Sequence, residues 1–273
     1  MDTAPPARAR TMPRREFDSL ANAARTSFST MKNTLKVALA TLAIAGMSGA
    51  AHADLNYNGE VGLPINPTAQ VPSTTGGFRL QGNYYDLGGA DLYSIGGAVR
   101  ASKTAPIEIN GAVNYVDGGG DDVRFSVGAK YLFSRETDPA GVRLAAGAGY
   151  SELSNLKNTR AYLVASKSFG NPVEGRASIT GHLGLRYDHY NVGDSDKASV
   201  FVGAEVPVTP KGDFQILGEA GTKVVNGGEF PYSLGVRYRA NQQPFGATVG
   251  VQRLGIGNND ARVFVQLGYT FGG

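Results

Sequence analysis

Arg79, Arg100, Arg124, Lys130, Arg143, Arg186, Lys223, Arg237, Arg239 and Arg262 sit at alternate positions within short apolar runs. Glu108, Asp188, Glu205 and Glu219 share their parity, as do Gln81, Asn83, Asn110, Asn114, Gln215, Gln252 and Gln266. Together these residues form one polar face carrying ten cations and four anions. Two kinds of chemistry are open to such a face. Guanidinium and ammonium groups on a low-dielectric wall concentrate anions, because the wall focuses the field of its charges. Alternatively, Arg–carboxylate pairs across neighbouring strands neutralise one another and fill the space they face, with no ligand involved.

Nucleophilic chemistry is a third class to weigh. Two histidines follow residue 53, His182 and His189. His182 shares the polar face with Ser178 and Thr180. Ser178 is four residues away along the same run, hence roughly 13 Å off and beyond hydrogen-bond reach. Only a neighbouring strand could bring a serine to His182, and sequence alone does not show one. His189 shares the Tyr187 face and reads as interfacial. Asp117, Asp121 and Asp122 surround three glycines. That loop composition suits a calcium ion in principle but is the composition of a solvated turn. Gly255-Ile256-Gly257 lacks the strand-to-helix setting of a phosphate loop. The expectation is no catalytic residue, no metal and no cofactor.

The elements that carry these residues follow from period two. From Ala261 to Phe271 the residues Ala261, Val263, Val265, Leu267, Tyr269 and Phe271 are apolar. Arg262, Gln266, Gly268 and Thr270 alternate with them, and Phe264 is the exception. This is a strand with two unlike faces. Eleven more such segments precede it: 78–86, 91–101, 107–116, 123–133, 141–151, 159–169, 176–188, 198–208, 213–223, 231–239 and 245–254. The segment 159–169 is ambiguous, because Ala161-Leu163-Ala165 and Tyr162-Val164 compete for the apolar face. After the even segments the connections contain proline: Pro106, Pro139, Pro172, Pro210 and Pro244. After the odd segments they contain none, and most carry Gly with Asn or Asp. Strict alternation of two turn chemistries marks the two ends of an up-and-down antiparallel sheet.

Aromatic residues gather at both ends. Phe78, Phe133, Phe169, Phe214, Tyr238, Phe245 and Phe271 lie near the proline turns. Tyr84, Tyr93, Tyr115, Tyr150, Tyr187 and Tyr232 lie near the Gly/Asp loops. Two girdles around an apolar band belong at the two boundaries of a bilayer. An eleven-residue strand tilted by about 40° spans roughly 28 Å, close to the height of such a band. A closed soluble barrel would turn the apolar face inward, but a twelve-stranded lumen is too wide for side chains to fill as a dry core. A two-sheet secreted sandwich is the competing all-β reading. The fold class expected is an all-β, antiparallel, up-and-down transmembrane barrel of about 12 strands.

The chain has 273 residues. Residues 1–53 read as a leader. Met31-Lys32-Asn33-Thr34-Leu35-Lys36 is basic, Val37 to Met47 is apolar, and Ala51-His52-Ala53 is a small-x-small cleavage site before Asp54. Those three parts make a signal peptide over 31–53. Residues 1–30 fit a start assigned too early, or a twin-arginine signal at Arg14-Arg15. The whole chain has 26 basic and 23 acidic residues. Without the leader's seven basic and three acidic residues, 19 face 20, a net of −1. The basic pI near 9.0 therefore comes from the leader and gives no case for nucleic-acid binding. There is no cysteine, hence no disulfide framework. No stretch after the leader reaches 18 apolar residues, so no transmembrane helix is expected. Residues 54–77 contain Pro64, Pro67 and Pro72, which exclude a helix or central strand. They read as an extended segment that hangs in the periplasm or folds into the barrel as a plug. Leu55 to Val61 alternates weakly, as a short extra strand would.

The last segment resembles the closing strand of bacterial outer-membrane β-barrels, a family whose chain ends on a strand read by the barrel-assembly machinery. Here Gly272 and Gly273 follow Phe271. By strand number, size and basic polar face, the chain resembles the small monomeric twelve-stranded porins that pass acidic sugars. Some twelve-stranded barrels of this kind are lipid hydrolases. Gly62-Leu63-Pro64-Ile65-Asn66-Pro67-Thr68-Ala69 resembles the opening of outer-membrane barrels tied to exopolysaccharide export. These resemblances imply a barrel over 78–271 in the outer membrane of a diderm bacterium, embedded in outer-membrane lipid and monomeric. The function they imply is a narrow passive channel with a basic lumen favouring small anionic solutes. A structural or exopolysaccharide-system accessory barrel and a barrel-embedded lipid hydrolase are the alternatives. The residues expected to line the pore are Arg79, Arg100, Glu108, Arg124, Lys130, Arg143, Arg186, Glu205, Glu219, Lys223, Arg237, Arg239 and Arg262.

Overall fold

Alternating side chains form twelve strands in the computed structural model: β1 (Phe78–Asp86), β2 (Asp91–Arg100), β3 (Ile107–Asp117), β4 (Asp122–Ser134), β5 (Arg143–Leu153), β6 (Leu156–Phe169), β7 (Ile179–Tyr190), β8 (Ser195–Pro207), β9 (Phe214–Gly221), β10 (Tyr232–Arg239), β11 (Phe245–Arg253) and β12 (Arg262–Phe271). The structure describes residues 55–72, 77–102, 104–118, 122–153, 156–169, 177–191, 195–225, 228–239, 244–255 and 260–271. The leader, its cleavage site at Ala53/Asp54 and residues 119–121 of the Asp117–Asp122 loop lie outside the described residues.

Each strand pairs antiparallel with its sequence neighbours, and β1 pairs with β12 to close the barrel. The seam runs from Phe78 opposite Phe271 to Tyr85 opposite Phe264. Closure leaves no strand edge with unpaired backbone groups, which is what lets a sheet cross a bilayer. The expected all-β, up-and-down barrel is therefore the observed one. Two hairpins run further than the sequence pattern suggests. Leu153 pairs with Leu156 across the β5–β6 turn, and Tyr190 pairs with Ser195 across the β7–β8 turn. Backbone pairing there continues beyond the alternating runs 141–151 and 176–188, because ladder hydrogen bonds do not need an alternating side-chain pattern.

The faces sort as an inside-out protein. Ile109, Val113, Val127, Leu163, Leu183, Leu185, Val202, Leu234 and Val249 are each about half exposed on the outer surface. An apolar surface on every side is far beyond what a water-soluble monomer exposes. Phe78, Phe133, Phe169, Phe214 and Phe271 are exposed near one rim. Phe78 lies 6.2 Å from Phe271, and Phe214 lies 4.9 Å from Tyr238. Near the other rim Tyr93 sits between Tyr84 at 5.4 Å and Tyr115 at 6.4 Å. β6 resolves its ambiguity in favour of Leu163 outward and Tyr162 with Val164 inward.

Candidate functional site

The polar face lines the interior, and that interior is occupied. Residues 55–72 lie inside the barrel, and Leu55, Val61, Leu63, Ile65, Asn58, Glu60, Asn66 and Thr68 are all buried. The segment is a chain of turns. The Asn56 side-chain oxygen accepts from the backbone N–H groups of Asn58 and Glu60, at 2.9 and 3.2 Å. The Leu63 N–H donates to the Asn66 carbonyl at 2.9 Å. Isolated bridges join Leu55 to Val61 and Gly62 to Pro67. The extra strand suggested by the weak alternation of Leu55 to Val61 does not form. Asn56 instead closes a tight turn through Asn58 and Gly59, which has φ +80°.

A segment of this kind has no strand partner, so its backbone polar groups need side chains from the wall. Residues of nine strands supply them. From β1, Gln81 accepts from the Leu55 N–H at 3.0 Å and donates to the Leu55 carbonyl. From β2, Ser94 donates to the Tyr57 carbonyl at 3.1 Å. From β3, Glu108 accepts from the Val61 N–H at 3.1 Å, and from β4 Lys130 donates to the Val61 carbonyl at 2.7 Å. Ser126, also on β4, donates to the Asn58 side chain at 3.1 Å. From β6, Tyr162 donates to Glu60 while Arg160 approaches the same carboxylate at 3.4 Å. From β7, Arg186 donates to the Asn66 side chain at 2.9 Å. From β9, Glu219 accepts from the Ile65 N–H at 2.8 Å and from the Asn66 N–H and side-chain amide at 3.0 and 2.9 Å. From β10, Arg237 donates to the Gly62 carbonyl at 3.3 Å. From β12, Gln266 donates to the Leu55 carbonyl at 3.1 Å.

Small residues let the backbones approach. A Cβ on Gly59 would lie 2.1 Å from the Gly111 carbonyl oxygen. A Cβ on Gly203 would lie 2.3 Å from the Leu63 side chain. Phe264, the apolar exception on the polar face of β12, is fully buried and stacks on Tyr85 at 6.0 Å. Tyr57 meets Tyr85 edge-on at 6.2 Å. The misfit in the alternation is thus a luminal aromatic that helps cap the segment.

The residues expected to line an open pore divide into five groups. Glu108, Lys130, Arg186, Glu219 and Arg237 are buried against the segment, as above. Glu205 is buried between Arg237 at 3.5 Å, Arg239 at 3.3 Å and His182 at 3.4 Å. Lys130 and Glu108 pair at 3.1 Å, and Arg186 and Asp188 at 2.7 Å. Arg79 is buried, and Arg124 is half-buried. Arg100 and Arg143 stand at the proline-turn mouth. Arg262 stands at the opposite rim, 3.9 Å from Asp260. Lys223 lies beyond the end of β9, over the Phe230 ring at 5.3 Å. Arg160 and Glu60 are part of the luminal network and were not among the expected residues. Arg160 shares its parity with Asn158 and Ser166, the signal that identifies its face.

A serine does reach His182, from the neighbouring strand. Ser166 on β6 pairs with His182 on β7, and its Oγ lies 2.7 Å from His182 Nδ1. The same Oγ accepts from the Ala69 N–H at 3.0 Å. Both residues are buried, so this chain of contacts fastens the segment's tail instead of offering a nucleophile to solvent. Ser178 is not the partner. His189 is exposed and contacts Asp196 at 2.8 Å. Among the described residues no cluster of three or more His, Cys, Asp or Glu could hold a metal ion.

No protein-family model matches the chain. No curated protein matches it either. Solved structures do. The NanC porin is 11% identical over 71% of this chain and 99% of its own, with a TM-score of 0.50. The KdgM porin is 16% identical over 71% and 99%, with a TM-score of 0.49. Omp33 of Acinetobacter baumannii is 9% identical over 71% and 96%, with a TM-score of 0.42. At these identities the likeness concerns the fold. The closed twelve-stranded barrel with its outward apolar band is the porin-like fold of a small outer-membrane β-barrel.

Proposed function

We propose that this chain is an outer-membrane channel held shut by its own residues 55–72, and that it passes small anionic solutes when the segment leaves. One observation carries the proposal: a short segment, not a packed core of wall side chains, fills the lumen. Many of its contacts are polar, which water can replace, and they stand beside buried apolar contacts of Leu55, Val61 and Ala69. Its withdrawal would uncover Lys130, Arg160, Arg186 and Arg237 together with Glu108 and Glu219 and would remove Glu60, leaving four cations against two carboxylates at these contacts. Anion preference follows from that excess, and it fades as the Debye length falls from about 30 Å at 0.01 M salt to about 3 Å at 1 M.

A second reading, a barrel that never conducts and serves a structural or accessory role, is favoured by the number of strands that bond the segment. Planar bilayers separate the two. The wild-type protein should be silent or open rarely, and a chain lacking residues 55–72 should conduct steadily with anion preference at low salt. A deleted chain that folds, by its heat-dependent mobility shift, and yet stays silent would overturn the channel reading. Cation preference in that chain would overturn the solute class. A hydrolase gains no support, because Ser166 and His182 are buried beneath the segment, whose Ala69 N–H donates to the Ser166 hydroxyl.

A further inference from the structure

Residues 55–77 contain a single charged side chain, Glu60. Glu60 is buried inside the barrel. The Tyr162 hydroxyl donates to its carboxylate, the Asn56 side-chain amide donates at 3.2 Å, and Arg160 lies 3.4 Å away. Tyr162 stands midway along β6, and its neighbour Leu163 faces outward in the apolar band. Glu60 therefore sits near half the depth of the membrane. The ionic groups around the segment, Glu108, Lys130, Arg160, Arg186, Glu219 and Arg237, all belong to strands and stay with the wall. With cleavage before Asp54, its carboxylate and the new α-ammonium cancel, so the movable charge is that of Glu60.

The segment is tied to the wall at one mouth. Ala69 to Pro72 lie beside Pro106 and Leu132, at the proline-turn end. Residues 73–77 join Pro72 to Phe78, which begins β1 at the same end, opposite Phe271. The tether makes that mouth the direct way out.

We propose that Glu60 is a gating charge: a potential positive on the proline-turn side draws residues 55–72 out of the lumen, and the opposite potential seats them. This rests on the channel reading above. A seated segment blocks ion flow, so the membrane potential falls across it. A charge that leaves half depth for the mouth crosses about half of that potential. The ratio of open to closed states should then change about sevenfold per 100 mV, and about fiftyfold over roughly 200 mV. The wall charges do not move and add nothing to this slope.

The test places the purified barrel in planar bilayers with equal salt on both sides. The chain has no cysteine, so Lys211→Cys, exposed in the turn after β8, marks the proline-turn side for an impermeant thiol reagent added to one chamber. Wild type should open more often when that side is positive, with the slope above. The chain lacking residues 55–72 should conduct without that dependence. E60Q should lose most of the slope whatever its opening at zero voltage, because bonds set the intercept and charge sets the slope. Asn58→Asp keeps an acceptor for the Ser126 hydroxyl, now at 3.1 Å, and adds a second negative charge. It should roughly double the slope, and N58D/E60Q should restore what E60Q loses. Wild-type opening that ignores voltage, preference for the opposite sign, or a slope unchanged in E60Q would each overturn the proposal. So would a wild type silent at both signs beside a deleted chain that conducts. A deleted chain that folds and stays silent would instead sink the channel reading, and the gate with it.

Discussion

Replacing Glu219 with glutamine changes one atom, and the structure says what that atom does. One carboxylate oxygen accepts from the Ile65 N–H at 2.8 Å and the Ser233 hydroxyl at 2.7 Å. The other accepts from the Asn66 N–H and side-chain amide at 3.0 and 2.9 Å. Glutamine keeps one acceptor and turns the other into a donor facing two donors. Two hydrogen bonds to a charged acceptor are lost, at about 1.5–3 kcal/mol each. The seated segment is therefore weakened by roughly 3–6 kcal/mol, or about 10²–10⁴ in the equilibrium between seated and withdrawn states. The barrel wall loses only the strength of one contact to Ser233. E219Q should thus show frequent openings in planar bilayers where wild type is nearly silent, with an unchanged heat-dependent mobility shift. Amide exchange at Ile65 and Asn66 should accelerate by a similar factor. If the chain lacking residues 55–72 conducts but E219Q remains as silent as wild type, with Ile65 and Asn66 still protected, the segment is not held by these bonds and the reasoning fails.

Gly59→Ala should unseat the start of the segment, because its Cβ would fall 2.1 Å from the Gly111 carbonyl oxygen at a φ of +80°; the measure is exchange at residues 55–61. Ser166→Ala leaves the Ala69 N–H without its acceptor, a cost of about 1–3 kcal/mol, and should free the tail of the segment in exchange experiments while wild type turns over no p-nitrophenyl ester. Phe264→Ala removes a fully buried ring stacked on Tyr85 and should cost about 3–5 kcal/mol, read as a lower temperature for the mobility shift. Leu185→Arg, on the mid-strand outer face, should destabilise the barrel in lipid by about 2–4 kcal/mol; an unchanged denaturant midpoint would place that face away from the bilayer.

Period two made the barrel legible, because each strand has lipid on one face and polar groups on the other. Turn chemistry made its two ends legible, since proline recurs in one set of connections. β6 was opaque for a physical reason: Tyr162 and Val164 are apolar yet face inward, Tyr162 to reach Glu60. Whether residues 55–72 fill the lumen was not legible, because past the weak alternation of Leu55 to Val61 they have no period; their order comes from wall side chains far away in sequence. The contact between Ser166 and His182 depends on the register of β6 against β7, which the composition of a turn does not set. The charges on the polar face were legible as a list, but their state was not. Lys130 and Arg237 look like pore-lining cations in the sequence and act as clamps in the structure.

The barrel seam has a consequence for assembly. Residues 55–72 precede β1 in the chain, and β1 is the strand that must meet β12 to finish the wall. Gln81 on β1 and Gln266 on β12 both grip the Leu55 carbonyl, one from each side of that junction. A chain whose first and last strands are bridged by its own Leu55 carries an internal splint for the final step of closure. A segment seated before the last pair of strands meets would hold β1 and β12 side by side through this one carbonyl.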